Sequence, residues 1–262
     1  MNTTRLFAAA SVAVCLASLP LAAQSLPAGD EGWTTQSSNS QINLGSMPVV
    51  SQALGAPIAG SGITNLAGVP LNTSQLGRAD TIIGRGAVSG GNGTASVVAL
   101  NLAGVSPVQL TDGRSYSLQI CLPQGAAQPT GSATFQPGSS GAGNMTAVVP
   151  VLPLLVFTNT NNPQDVVRVD CSAGGCPTIQ LSTQNAPYVV ATASQATASG
   201  LGTLPSGSIS VANCGSQPQV NLAGQGNVYE GATFVAGGKI AAVTVQLTGS
   251  LVSHYVSPFL HP

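Results

Sequence analysis

Tyr116-Ser117-Leu118-Gln119-Ile120 is the stretch whose reading decides the fold. Tyr116, Leu118 and Ile120 share one face and Ser117 and Gln119 the other, the period of two that a half-buried strand requires. Asp112-Gly113 just before it supplies a tight turn, with Leu110 and Tyr116 at the ends of a hairpin. Outward from this point the same style continues. Thr81-Ile82-Ile83 and Ser96-Val97-Val98-Ala99-Leu100 lie upstream, and residues 151–157, 166–169, 178–181, 188–193, 208–212 and 232–236 form short β-branched or alternating runs downstream. Pro153 places the 151–157 run on an edge or at a bulge. In 240–247, Ala241, Val243, Val245 and Leu247 make one apolar face opposite Thr244 and Gln246.

No window of comparable length has a helical period with caps. Short strands punctuated by 32 Gly and 18 Pro point to an all-β, antiparallel β-sandwich, immunoglobulin-like or related. One large or two small β-domains fit residues 78–262, with a possible division near 158–163 where Asn and Pro crowd together. Residues 24–77 read differently. A polar run at 34–43 precedes a string of Gly, Pro and Ala at 45–68 without sustained period, so this segment is expected to be a flexible arm or linker.

Ahead of the arm, Arg5 precedes an apolar run at 6–17, and Pro20 stands before Leu21-Ala22-Ala23, the pattern of a signal peptide over residues 1–23. The run falls short of the roughly 20 residues that span a bilayer. Cys15 lacks the small preceding residue of a lipoprotein site, since Val14 stands there. No later stretch is a transmembrane candidate: 148–157 is short and contains Pro150 and Pro153. The expected location is secreted, periplasmic or cell-surface.

Charge is scarce. Beyond residue 23 the bases are Arg78, Arg85, Arg114, Arg168 and Lys239, against seven acids in the whole chain. No cluster could neutralise phosphates or an anionic membrane, which argues against nucleic acid as a partner. A surface carried by Ser, Thr, Asn, Gln and Gly, with net charge near zero, favours association instead.

Cys121, Cys171, Cys176 and Cys214 remain after residue 23, an even number suited to an oxidising compartment. Three pairings are open. Cys171 with Cys176 is favoured because 166–169 and 178–181 read as strands around the loop Ser172-Ala173-Gly174-Gly175, leaving Cys121 with Cys214. A metal site lacks C-x2-C pairs and nearby His.

Catalytic constellations are few. The histidines, His254 and His261, both fall at the C-terminus, so a serine triad has no base in the body of the chain. Gly138-Ser139-Ser140-Gly141-Ala142 misses a nucleophile elbow at its last position. Asp165 and Asp170 flank a strand at an odd offset that puts them on opposite faces, and Arg168 shares a face with Asp170, so an ion pair is expected there. Arg78, Asp80 and Arg85 form the densest charge group, read as a structural cluster. Oxygens of 159–165 could approach calcium, although only Asp165 is a carboxylate. No catalytic, cofactor-binding or metal residue is assigned, and no cofactor is expected.

Asn-Leu-Ala-Gly recurs at 65–68, 101–104 and 221–224 without a constant period, as a shared strand-to-turn ending would. Asp80-Thr81-Ile82-Ile83-Gly84-Arg85, followed by Val98-Ala99-Leu100-Asn101-Leu102 and Val105-Ser106-Pro107-Val108, resembles a pattern in uncharacterised secreted β-rich bacterial proteins. The resemblance spans Asp80 to Val108, with a Gly-rich insert at 89–93, and implies secretion and β-structure but no activity.

Three functions follow as expectations. The first is a non-catalytic secreted or cell-surface structural or adhesive protein, with self-association or a surface as its partner; strand donation by the 24–77 arm, as in pilins, is one form of it. The second is a binding module for carbohydrate or another neutral ligand, which would expose Trp33 or a tyrosine. The third is a carboxylate-dependent hydrolase built on Asp165 and Asp170.

Overall fold

Alternation becomes pleated strand along most of the chain in a computed structural model, which describes residues 25–35, 37, 40–138, 141–200, 204–223, 228–242 and 252–256. The first half contains β1 (Gly29–Thr35), β2 (Gln41–Asn43), β3 (Ile63–Gly68), β4 (Thr81–Arg85), β5 (Asn92–Gly104), β6 (Val108–Gln109), β7 (Ser115–Cys121), β8 (Gly131–Pro137) and β9 (Ala142–Val151). The second contains β10 (Leu154–Asn159), β11 (Val166–Asp170), β12 (Ile179–Val190), β13 (Gly207–Ser210), β14 (Gln219–Leu222), β15 (Val228–Glu230), β16 (Ala232–Phe234), β17 (Ile240–Ala242) and β18 (Val252–Val256). Helices are short: α1 (Pro48–Leu54), α2 (Thr73–Leu76) and α3 (Ala193–Ala198). This is a mostly antiparallel β-sheet protein.

Hydrogen bonding runs β5–β4–β1–β18–β12–β9–β8 and returns to β5, because residues 92–95 of β5 also pair with 131–134 of β8. Every pairing in that ring is antiparallel except β12 with β18. Beyond Leu100, β5 changes neighbours: 101–103 pair with β7 and 102–104 with β3, and β10 and β11 extend the sheet from β7. A bulge makes the turn possible. Ile83 lies opposite Val97 and Ile82 opposite Ala99, so Val98 is the extra residue and the inward face is restored at Leu100 and Leu102.

The main core lies inside this arrangement, with Trp33, Tyr116, Phe135, Phe157 and Tyr188 fully buried. A second core covers the other side of β4 and β5, where Ile82 and Ala99 meet Leu71, Leu76, Val211 and Leu222. Each large apolar side chain removed from water in this way contributes roughly 1.5–3 kcal/mol.

The hairpin read at Asp112-Gly113 forms: Val108 lies opposite Tyr116, Gly113 adopts φ +86°, and Leu110 N donates to Arg114 O at 2.9 Å. The first two Asn-Leu-Ala-Gly segments end β3 and β5 and pair with each other, Ala67 opposite Ala103 with Leu66 and Leu102 opposite glycines, and Asn221-Leu222 of the third ends β14.

Four expectations are corrected. The supposed arm carries β1, which is hydrogen-bonded to both β4 and β18, together with α1, β3 and α2; Trp33, Ile42, Leu44, Val50 and Leu66 are core residues. Gly and Pro there end short elements rather than loosen them: Pro48 opens α1 and Gly55, at φ +72°, closes it. Residues 151–157 are not one strand, because Leu152 and Pro153 separate β9 from β10 and send the chain from the β8–β12 region to the β7–β11 region. Residues 158–163 run from the end of β10 into the turn of the β10–β11 hairpin, where Asn159 N donates to Asp165 O, and mark no gap in the sheet. Strands β11 and β12 do not pair with each other; β11 lies against β10 and β12 against β9. The proposed signal peptide, residues 243–247 of the last predicted strand, and His261 lie outside the described residues.

Candidate functional site

The disulfides are Cys121–Cys214, spanning 93 residues, and Cys171–Cys176, spanning 5. They indicate folding in an oxidising, extracytoplasmic environment. The short one closes a loop whose first turn is capped by Asp170, with Oδ1 accepting from Ser172 N at 2.8 Å and Ser172 Oγ at 2.6 Å. That engagement replaces the expected pair with Arg168.

Asp165 does not meet Asp170. Its Oδ2 accepts from Tyr116 Oη at 2.9 Å and Asn159 Nδ2 at 2.8 Å, and these hydrogen bonds, Asn159 first, hold its carboxyl below the usual range. The oxygens considered for calcium are turned to local backbone: Asn159 Oδ1 accepts from Asn161 N, and Asn162 Oδ1 from Gln164 N. Among the described residues no three His, Cys, Asp or Glu side chains stand together as metal ligands. His254 lies on β18 opposite Thr35.

The charge cluster at 78–85 separates into three environments. Arg78 is exposed. Arg85 is buried in an ion pair with Glu31, donates to Pro27 O at 2.7 Å, and places its guanidinium 5.6 Å from the Phe135 ring centroid. Asp80 is fully buried, accepting from Thr35 N at 2.6 Å, Thr35 Oγ1 at 2.9 Å and Thr81 Oγ1 at 2.7 Å. Burial away from water outweighs these hydrogen bonds and pushes its carboxyl up to about 7.

Two further acids are engaged: Asp30 Oδ2 accepts from Ala223 N at 2.6 Å, and Asp112 Oδ2 from Arg114 Nε at 2.8 Å. Arg114 continues to Leu54 O at the end of α1, where a cation complements the helix dipole.

A cavity of about 430 Å³ opens on the outer side of β5, between the 122–128 loop and the β13–β14 hairpin. Ser96, Val98, Gln124, Ala126, Val211 and Val220 are among its lining residues, and none of the lining residues is charged or aromatic. The disulfide Cys121–Cys214 ties its walls. Beside it, Asn213 reads both backbone groups of Leu122, Oδ1 accepting from N at 3.0 Å and Nδ2 donating to O at 2.9 Å. Gln128 does the same for Leu152, at 3.0 and 3.3 Å. Ser96 is the one hydroxyl side chain in this lining and has no base beside it there. The arrangement can hold an uncharged molecule; it offers no acid–base pair.

Sequence reasoning missed this cavity, because its walls come from three separate segments, 96–99, 122–128 and 211–220, that meet only in the fold. The pairing of Cys121 with Cys214 was the signal that 122–128 and 211–220 adjoin. Trp33, Tyr116, Tyr188 and Tyr229 offer no stacking platform for carbohydrate: all four are buried, at most 1% exposed. No family model, curated protein or solved structure matches this chain.

Proposed function

We propose that the chain is a non-catalytic secreted or cell-surface protein with a structural or adhesive role. The observation that carries this reading is the use of its acids. Asp30, Glu31, Asp80, Asp112, Asp165 and Asp170 each bind a donor that maintains the fold, and no two are brought together as an acid–base pair. What the protein presents instead is neutral. Asn92, Thr134 and Thr146 lie opposite one another across β5, β8 and β9, with Thr94 and Ser132 in the next rank, on an outward face that carries no charge. Hydroxyl and amide groups about 4.8 Å apart across strands form a surface suited to lateral contact. The change of neighbours along β5, from β4 and β8 to β7 and β3, supports reading the layers as related to a β-sandwich. Strand donation would require extracting β1 from between β4 and β18, so lateral association is the better-supported form of assembly.

Fractionation of the producing cell, combined with sedimentation of the oxidised chain over a range of concentrations, tests the proposal. The chain is expected outside the cytoplasm, self-associated or bound to a surface. A dilute monomer that binds neither itself nor the cell surface would overturn it. A second reading, binding of a neutral ligand, is favoured by the charge-free cavity beside Cys121–Cys214.

A further inference from the structure

We infer that the cavity between β5, the 122–128 loop and the β13–β14 hairpin binds a small uncharged amphiphile, with an aliphatic body and one hydroxyl or amide head. This deepens the second reading above and is independent of the surface role. At about 430 Å³ the space lies within the range of small-molecule sites. Val98, Val211 and Val220 offer an aliphatic wall, and the lack of an aromatic in the lining disfavours a sugar ring, which needs a flat face to stack on. With no charge in the lining, an ionic ligand would lose hydration without gaining a partner. Asp30, on the same side of the sheet as Ser96 through Gly84, is buried and holds the Ala223 N–H.

Two polar side chains differ from the rest of the lining. Asn213 and Gln128 turn their amides onto backbone and build the wall. The Ser96 hydroxyl and the Gln124 amide, in contrast, have no hydrogen-bond partner among the described residues, and they come from different segments of the lining, one on β5 and one on the loop. They are the groups available to a ligand head. The disulfide and the Asn213 clamp hold the two sides in place before binding, which reduces the ordering required of the protein.

The test uses the oxidised chain and the uncharged fluorophore N-phenyl-1-naphthylamine, displaced by 1-octanol, octanoate or octylammonium. Saturable fluorescence is expected, with 1-octanol displacing the probe at least tenfold better than either ion. Ala126→Trp, which fills the cavity from the loop, is expected to abolish uptake. Ser96→Ala with Gln124→Ala should weaken 1-octanol about fivefold per lost hydrogen bond at an unchanged melting temperature. If Ala126→Trp unfolds the chain, the Ser96/Gln124 pair decides. Absence of saturable uptake, equal competition by the ions, or an unchanged response in the folded variants would overturn the inference and leave the proposed surface role standing.

Discussion

Asp80 occupies the space that a side chain at Gly68 would need: a Cβ built on Gly68 would lie 2.5 Å from Asp80 Cγ and closer still to Oδ2. The carboxyl group is thus packed against bare backbone of β3 while its oxygens bind Thr35 and Thr81. Gly68→Ala should destabilise the fold by about 1–3 kcal/mol, the usual effect of overpacking a closed site. Urea unfolding measures it; a change near zero would mean that Asp80 can move aside.

Asp80 also makes stability depend on pH. Its folded carboxyl titrates at about 7, above the ordinary 3.8, so the folded state binds the proton more tightly than the unfolded chain. Its contribution is therefore complete below the unfolded value and is lost as pH rises through about 7. The full loss is on the order of 4 kcal/mol, from the size of the displacement. Asp112 and Asp165, with lowered carboxyls, act oppositely below the ordinary range, but both are open to solvent and act weakly. Melting temperature should fall between about pH 4 and pH 7 and level off above, and Asp80→Asn should flatten that slope. A slope identical in wild type and variant would rule out Asp80 as its origin.

Glu31 and Arg85 form an ion pair facing the main core, beside Ile83 and Trp33, at 4% and 3% exposure. Breaking it from one side leaves a buried charge alone. Arg85→Met should cost about 3–5 kcal/mol, whereas Glu31→Leu combined with Arg85→Met should cost much less than the sum of the single changes. Additive losses in a double-mutant cycle would show that the two residues do not act as a pair.

The disulfides should differ in worth. Closing 93 residues restricts the unfolded chain by about 4–5 kcal/mol in the chain-entropy relation, and closing 5 by about 2 kcal/mol. Cys121→Ser with Cys214→Ser should therefore lower the denaturant midpoint more than Cys171→Ser with Cys176→Ser. The reverse order would place the larger effect in the β11–β12 loop.

Strand existence was legible where one face alternates. Residues 116–120 are a strand because half-burial imposes a period of two, 81–83 are one whose β-branched residues are buried on both faces, and the Asp112-Gly113 turn follows from the φ > 0 that Gly113 supplies. Residues 29–35 were not legible. Gly-Asp-Glu-Gly-Trp-Thr-Thr shows no apolar alternation, since its inward positions are Glu31 and Trp33 and its outward ones Asp30 and Gly32, and burial of the acids depends on Arg85 and Ala223 far along the chain. The cavity was equally hidden, because Ser96, Gln124 and Val220 acquire a common environment only when β5, the loop and β14 adjoin.

By itself the sequence determined the β class, the scarcity of charge and the presence of four cysteines beyond residue 23, all properties of local pattern and composition. Tertiary structure alone decided which strands are neighbours, that β5 leaves β4 and β8 for β7 and β3 beyond Leu100, that Trp33, Ile42, Leu44, Val50 and Leu66 belong to the core rather than to an arm, and that Asp30, Glu31, Asp80, Asp112, Asp165 and Asp170 each have a structural partner. The physical reason is that local pattern specifies only which face of a segment turns from water. Partners for hydrogen bonds and buried charges come from distant residues that meet only on folding.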